Sequence, residues 1–385
     1  MKEPHKRESP GAGRKVRFPH ILLGEIYEQP QALQNTIGQA GKGEQVLSSA
    51  FRPVAKAING CRRVIIAASG SSRHAGLAGE IMIEDLSGVA VDVEYASEYA
   101  CRSSHPSRDT LVMVISQSGE TGDAVAALRA ATRHGAVTIG VTNVPDSTIA
   151  REANACLLTR ATPEQAIPAT KSFTTQLTLL HLLALRFAAA KKRLDSSSVR
   201  SALKALRSVP AMLEAWLGEW DSAALEAARQ FHHISAFLFI GRGVHYAIAR
   251  EGALKLKELS YAHAEGYPAG ELLHGPNALV GESSVVVALA TCDRQDADSV
   301  VRYQKTRAVL EYVKKHGGRT IAITTQGDSQ LAALCHRAIA VPAAPELLLP
   351  ILEVVPLQLF AYHMAVLKGV DVDHPRNLVK AVLSA

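Results

Sequence analysis

Runs of apolar, largely β-branched residues recur along the chain, separated by longer segments of helix-forming composition, and this alternation constrains the fold more than any other feature. Arg63–Ala68, Val89–Glu94, Leu111–Ser116 and Ala136–Thr142 read as buried strands, with Ala155–Thr159 as a short fifth. A strand that is apolar along its whole length is covered on both faces, and strands alternating with helices form a parallel sheet. A long helix is expected from about residue 170 to 192, ending in the basic cluster Lys191-Lys192-Arg193 that suits a helix C-terminus. After the polar segment 194–201 the pattern restarts with Ala236–Ile240, Ser284–Ala290, Thr320–Thr324 and Ala338–Val341. An apolar helix over 347–367 follows, expected to kink or restart near Pro356. Both halves open with a strand, a turn of small residues (Ser69-Gly70-Ser71-Ser72; Gly241-Arg242-Gly243) and a helix, which is a coarse internal duplication. The expected fold is therefore α/β, with two doubly wound parallel-sheet domains whose ligand turns lie beyond the carboxyl ends of the strands.

Charge distribution narrows the function classes. The formal charge is +6 over 385 residues, but residues 1–19 hold six basic side chains against Glu3 and Glu8, which leaves the remainder almost balanced. A basic, Pro- and Gly-containing start without apolar periodicity reads as a flexible tail, here 1–24. No aromatic or basic patch extends it toward a nucleic-acid surface, so no nucleic-acid partner is expected. Five scattered cysteines without a Cys-x-x-Cys read as buried thiols. No secretory leader pattern and no uninterrupted apolar run of about 18 residues is present, so a cytoplasmic protein without a membrane span is expected. The histidines lack metal-ligand spacing, and Gly241-Arg242-Gly243 lacks the rest of a dinucleotide fingerprint, so neither metal nor cofactor is implied.

Three segments carry chemistry. Ser116, Gln117, Ser118 and Thr121 place four hydrogen-bonding side chains within six residues around Gly119, at the start of a helix. Hydroxyls together with helix N-terminal amides suit a phosphate, and a helix cap with a turn is the other reading. Ser69-Gly70-Ser71-Ser72 adds a second hydroxyl cluster after another strand of the same sheet. Lys255 and Glu258 lie three apart on one helix face, with His263, Glu265, Glu271 and His274 following in a Gly- and Pro-broken stretch. A carboxylate, an ammonium and an imidazole suit proton transfer on a carbohydrate, whereas a surface ion pair and a loop histidine are the plainer alternatives. In the terminal segment 371–385, apolar Leu378, Val379, Val382 and Leu383 flank Lys380. A tail docked by those residues would place the lysine in a partly desolvated site able to form a Schiff base.

Together these segments resemble the isomerase half of glutamine:fructose-6-phosphate amidotransferases, a pair of flavodoxin-like sugar-isomerase (SIS) domains. The matching stretches are SGSSRHAG (69–76), ISQSGETGDAVAALR (115–129), ATKSFTTQ (169–176), GRGVHYAIAREGALKLKELSYAHAE (241–265), AGELLHGPNAL (269–279), VVPLQLFAYHMAVLKGVDVD (354–373) and PRNLVKAV (375–382). EIYEQP (25–30) is similar to the segment preceding the first SIS domain. The implied layout is a helical lead-in over 25–44, SIS domains over 45–215 and 216–370, and a docked tail from 371 that carries Lys380. The resemblance implies that Ser72, Ser116, Gln117, Ser118 and Thr121 hold the phosphate, with Ser71 near the sugar hydroxyls. It implies that Glu258 shuttles the proton between carbons 1 and 2, with Lys255 as its polar partner. His274, supplied by the neighbouring subunit of a homodimer, would assist ring opening, and Lys380 would form an imine with the keto sugar.

Two departures from the family pattern stand out. Ala169 stands where the family usually has a serine before Thr170-Lys171, so the resemblance implies one hydrogen bond fewer to the sugar. No segment matching the N-terminal glutaminase is found, and the first cysteine is Cys61, so glutamine hydrolysis is not expected. The expected activity is a deaminase/isomerase that interconverts glucosamine 6-phosphate with fructose 6-phosphate and ammonia. An ammonia-fed synthase-type isomerase and a deglycase of an amine-linked sugar phosphate are the nearer alternatives. A non-catalytic sugar-phosphate sensor is the alternative of another class.

Overall fold

The computed structural model describes residues 18–41, 48–102, 106–107 and 109–383. The first sheet contains β1 (Arg63–Ala68), β2 (Ala90–Tyr95), β3 (Thr110–Ile115), β4 (Val137–Thr142) and β5 (Ala155–Leu158), in the order β2-β1-β3-β4-β5. The second contains β6 (Ala236–Gly241), β7 (His263–Pro268), β8 (Ser284–Ala290), β9 (Arg319–Thr325) and β10 (Arg337–Val341), in the order β10-β9-β8-β6-β7. Every pairing is parallel. Read from the opposite edge the second order repeats the first strand for strand, so the duplication seen in the sequence is a duplication of topology. Ala68 and Ile115 are level in the register of β1 and β3, and the turns following both strands leave the sheet side by side.

One strand was not foreseen. β7 has the sequence HAEGYP, too polar for a buried strand and broken by Gly and Pro. It lies at the edge of its sheet, where one face and one backbone side need no apolar cover.

The main core joins the inner faces of both sheets, with Ile66 and Met113 in the same cluster as Phe237 and Val285. Separate clusters cover the outer faces. Two helices run through this shared core, Lys171–Ala190 and Leu349–Leu367. By length and composition Lys171–Ala190 and the stretch Glu346–Leu367, which includes the turn before the second helix, are apolar enough to cross a membrane, yet 83% and 94% of their apolar windows are buried inside the molecule. Pro356 sits within one continuous helix that does not restart there. The helix Ser196–Phe231, 36 residues long, was not anticipated and passes unbroken through the boundary expected at 215/216. Its buried stripe (Val199, Leu203, Leu206, Val209, Leu213, Leu217, Trp220) recurs at three- and four-residue steps, and Asp195 caps it by accepting from the Ser198 amide.

The first described helix is tied to the terminal segment. Residues 1–17 of the expected tail lie outside the described residues, but the helix Ile21–Tyr27 begins well before residue 25 and buries Leu22, Leu23 and Ile26. The amides of Ile21 and Leu22 donate to the Asp373 carboxylate at 3.0 and 2.8 Å, satisfying groups that a helix start otherwise leaves open. The terminal segment docks as expected, but by polar contacts. The Ile167 amide donates to the Asp373 carbonyl and the Arg376 amide to the Tyr261 hydroxyl, while Val379, Val382 and Leu383 remain exposed. The thiols divide similarly: Cys61 and Cys292 are buried, and Cys101 is exposed at a helix end.

Candidate active site

A cleft opens at the carboxyl ends of β1 and β3, the reversal point of the first sheet, where open α/β sheets place ligands. Ser71, Ser72, Ser116, Gln117, Ser118, Thr121, Ala169, Lys255, Glu258 and Lys380 all line it.

Its floor is the loop between β3 and the helix Gly122–Arg133. Gly119 takes φ +67°, a left-handed conformation that turns the loop back on itself. The expectation of free helix N-terminal amides is only partly met. The Gly119 amide donates to Ser116 Oγ at 3.1 Å, the Glu120 amide to Ser118 Oγ at 3.2 Å and the Gly122 amide to the Val382 carbonyl at 2.9 Å. Ser116 Oγ also lies 2.9 Å from Thr121 Oγ1. The loop therefore presents to the cleft mainly hydroxyl and amide side chains rather than open backbone amides. Ser72 joins them from the helix Gly70–Ser87, its Oγ accepting from Gln176 Nε2 at 3.0 Å.

The opposite wall comes from the second half of the chain. The helix Val244–Ser260 packs against Gly70–Ser87 and projects Lys255 and Glu258 into the cleft. Lys255 is 1% exposed, which rules out a surface pair. Its ammonium contacts the Glu258 carboxylate directly and lies 3.6 Å from Glu251. Burial disfavours the lysine charge, but the two carboxylates outweigh it and raise the Lys255 pKa above its ordinary value. Glu251 is fully buried, accepting from Ser71 Oγ at 2.8 Å and pairing with His74 Nδ1 at 2.8 Å. Burial pushes its pKa up, and Lys255 with these hydrogen bonds brings it below the usual carboxylate value.

The third wall is the terminal segment. Lys380 Nζ donates to Glu164 Oε2 at 2.7 Å and to the Ala166 carbonyl at 2.6 Å. The lysine expected in a partly desolvated site is thus one half of an ion pair. Burial works against the Glu164 charge, but Lys380 and hydrogen bonds from the Thr170 amide and Ser172 overcome it and lower the pKa. Ala169 lies on the loop that Glu164 stitches together. Buried Lys171 anchors that loop to Glu28 at 2.6 Å and Glu25 at 3.6 Å, which accounts for the EIYEQP stretch.

His274 is not brought into this cleft. It is exposed at the end of the turn Glu271–Leu273, beside exposed Leu273 and Leu279. His263 and Glu265 lie on the edge strand β7, 3.7 Å apart and also outside the cleft. Sequence reasoning missed Glu164, Glu251 and His74. Glu251 carried one local signal, its four-residue spacing to Lys255.

Beyond the carboxyl end of β6 in the second sheet, buried charged side chains pair with one another. His245 bridges Glu346 at 3.1 Å and Glu353 at 2.8 Å, and Arg302 Nε donates to Glu346 at 2.7 Å.

A model of the SIS domain matches residues 57–186 and 230–368. The chain is 40% identical over 370 residues to the isomerizing glutamine–fructose-6-phosphate aminotransferase of Chlorobaculum tepidum, covering 96% of this chain and 59% of that protein. The corresponding protein of Thermus thermophilus is 42% identical over 374 residues, covering 96% and 60%. The chain thus spans about three fifths of the length of these curated relatives. Among solved structures, the C-terminal domain of the glucosamine-fructose-6-phosphate aminotransferase from Francisella tularensis superposes with a TM-score of 0.87 at 33% identity, covering 94% of this chain and 100% of that one. A glucosamine-6-phosphate deaminase from Thermotoga maritima shares the fold, with a TM-score of 0.69 at 21% identity, covering 94% and 99%.

Proposed function

The chain belongs to the SIS domain family, and from that membership we propose that its cleft interconverts glucosamine 6-phosphate and water with fructose 6-phosphate and ammonia. The observation that carries this reading is convergence: a hydroxyl loop, the Glu258 carboxylate and the Lys380 amine, from three distant parts of the chain, line one cleft.

In this reading Ser72, Ser116, Gln117, Ser118 and Thr121 hold the phosphate and fix one end of the open-chain sugar. Glu258 removes the proton from carbon 2 and returns it to carbon 1, converting the 2-amino aldehyde into a 2-imine. Lys380, once deprotonated, attacks carbon 2 and expels ammonia, and water then hydrolyses the lysine imine to free the ketose. Every step is reversible, so low free ammonia drives deamination by mass action and high ammonia drives synthesis. His274, exposed and outside this chain's own cleft, is assigned to the cleft of a second copy in a homodimer.

Incubation with glucosamine, galactosamine and N-acetylglucosamine 6-phosphates, following ammonia and ketose phosphate together, tests the proposal. Equimolar release of both from glucosamine 6-phosphate is expected. Release of neither from any of the three overturns the reading. Parallel incubations of fructose 6-phosphate with free ammonia or with glutamine identify the nitrogen donor in the reverse direction.

A further inference from the structure

The first half of the chain contributes more to the proton-transfer machinery than a phosphate anchor. Glu251 has no exposed surface, and its carboxylate faces three partners: Ser71 and His74 from the helix Gly70–Ser87, and Lys255 one turn along its own helix. Lys255 in turn contacts Glu258. Thus a continuous line of contacts runs from His74 through Glu251 and Lys255 to Glu258, crossing the junction between the two sheets' helices.

We propose that His74 is a positioning residue for the proposed isomerisation: it orients Glu251, which holds Lys255 and thereby sets where the Glu258 carboxylate meets carbons 1 and 2. A lysine side chain has four rotatable bonds, and a buried ammonium with one carboxylate partner could settle in several rotamers. A second fixed carboxylate removes that freedom, and His74 with Ser71 removes it from the carboxylate. One further consequence concerns Ser71. Its hydroxyl proton is committed to Glu251, so toward a sugar hydroxyl it acts as an acceptor only.

The inference rests on the isomerase reading, so the wild-type chain serves as the first control. His74→Ala is expected to lower kcat by about 10- to 100-fold while leaving KM and the calorimetric affinity for glucosamine 6-phosphate within about twofold, the loss typical of a misplaced catalytic group. His74→Asn, whose amide nitrogen coincides with Nδ1, is expected to restore most of the rate, and His74→Gln, whose amide reaches the Nε2 position, is not. The Asn and Gln variants carry the test should the alanine variant fail to fold. A wild-type chain without turnover overturns the isomerase reading and this inference with it. An active wild type overturns the inference alone if His74→Ala keeps full kcat, or if the Asn and Gln variants are equally active.

Discussion

The Gly122 amide donates to the Val382 carbonyl across 2.9 Å, tying the end of the described chain to the first turn of the helix that follows the hydroxyl loop. The contact occupies an amide that the helix would otherwise turn toward an anion, and it holds the segment carrying Lys380 over the cleft. Removing residues 381–385 should therefore loosen Lys380 without touching the hydroxyls proposed to hold the phosphate. The expected result is a fall in kcat of about tenfold or more with a smaller change in KM, since a reacting group is lost from its geometry and binding contacts are kept. Steady-state kinetics of the truncated chain beside Lys380→Ala checks this. Equal kcat in the truncated and full chains would show that the contact through Val382 does not position Lys380.

Glu258→Gln keeps the size of the side chain and removes its capacity to accept a proton. Turnover should fall by about 10²- to 10⁴-fold, the usual worth of a positioned general base, while calorimetry with a sugar 6-phosphate shows near wild-type affinity. The same variant tests the assignment of His274. If each cleft takes His274 from a second copy, a mixture of inactive Glu258→Gln and inactive His274→Ala chains regains activity. Half of randomly formed dimers are mixed and each has one intact site, so recovery of about a quarter of the wild-type rate is expected. A mixture as inactive as its parts, with subunit exchange verified, refutes a shared site.

What could be read before the fold was known divides along a physical line. β1 and β8 were legible to the residue because strands buried on both faces must be apolar throughout. β7 was not, because an edge strand can carry His263, Glu265 and Pro268. The hydroxyl loop was legible because its residues are neighbours in the sequence. The Lys380–Glu164 and His74–Glu251 pairs were not, because their members lie 216 and 177 residues apart and only the fold joins them. Apolar flanks suggested how the tail docks and pointed to the wrong atoms, since its carbonyls, amides and Lys380 make the contacts while Val382 and Leu383 face solvent.

Gly119→Ala should damage both the fold and the site. The residue holds φ +67°, and a Cβ placed there collides with the Ser147 hydroxyl and approaches Thr142 Oγ1 to 2.8 Å. Left-handed strain and overpacking each cost about 1–3 kcal/mol, so a loss of about 2–4 kcal/mol in urea unfolding is expected, with weakened sugar-phosphate binding in the folded fraction. A variant of unchanged stability would mean that the loop relaxes freely.

His181 offers the clearest test of pH-dependent stability. It is 4% exposed on the core helix Lys171–Ala190, and neither ring nitrogen has a hydrogen-bond partner among the described residues. Burial pushes its pKa down from 6.5 to about 4. The unfolded chain therefore binds a proton that the folded chain refuses as the pH falls from about 6.5 to about 4. Stability contributed by the neutral ring is full above that window and declines through it, by at most about 3 kcal/mol. His181→Leu replaces an unpartnered polar ring with an apolar side chain of similar size. It should stabilise the protein by about 1–2 kcal/mol at neutral pH, since burying an unsatisfied polar group carries a cost of that order. The larger effect lies in acid, where the variant loses the slope that His181 causes. Chemical denaturation of both chains at pH 7.5, 6 and 5 measures it: the gap between them should widen as the pH drops. A constant gap would show that the buried ring takes up its proton as readily as the unfolded one.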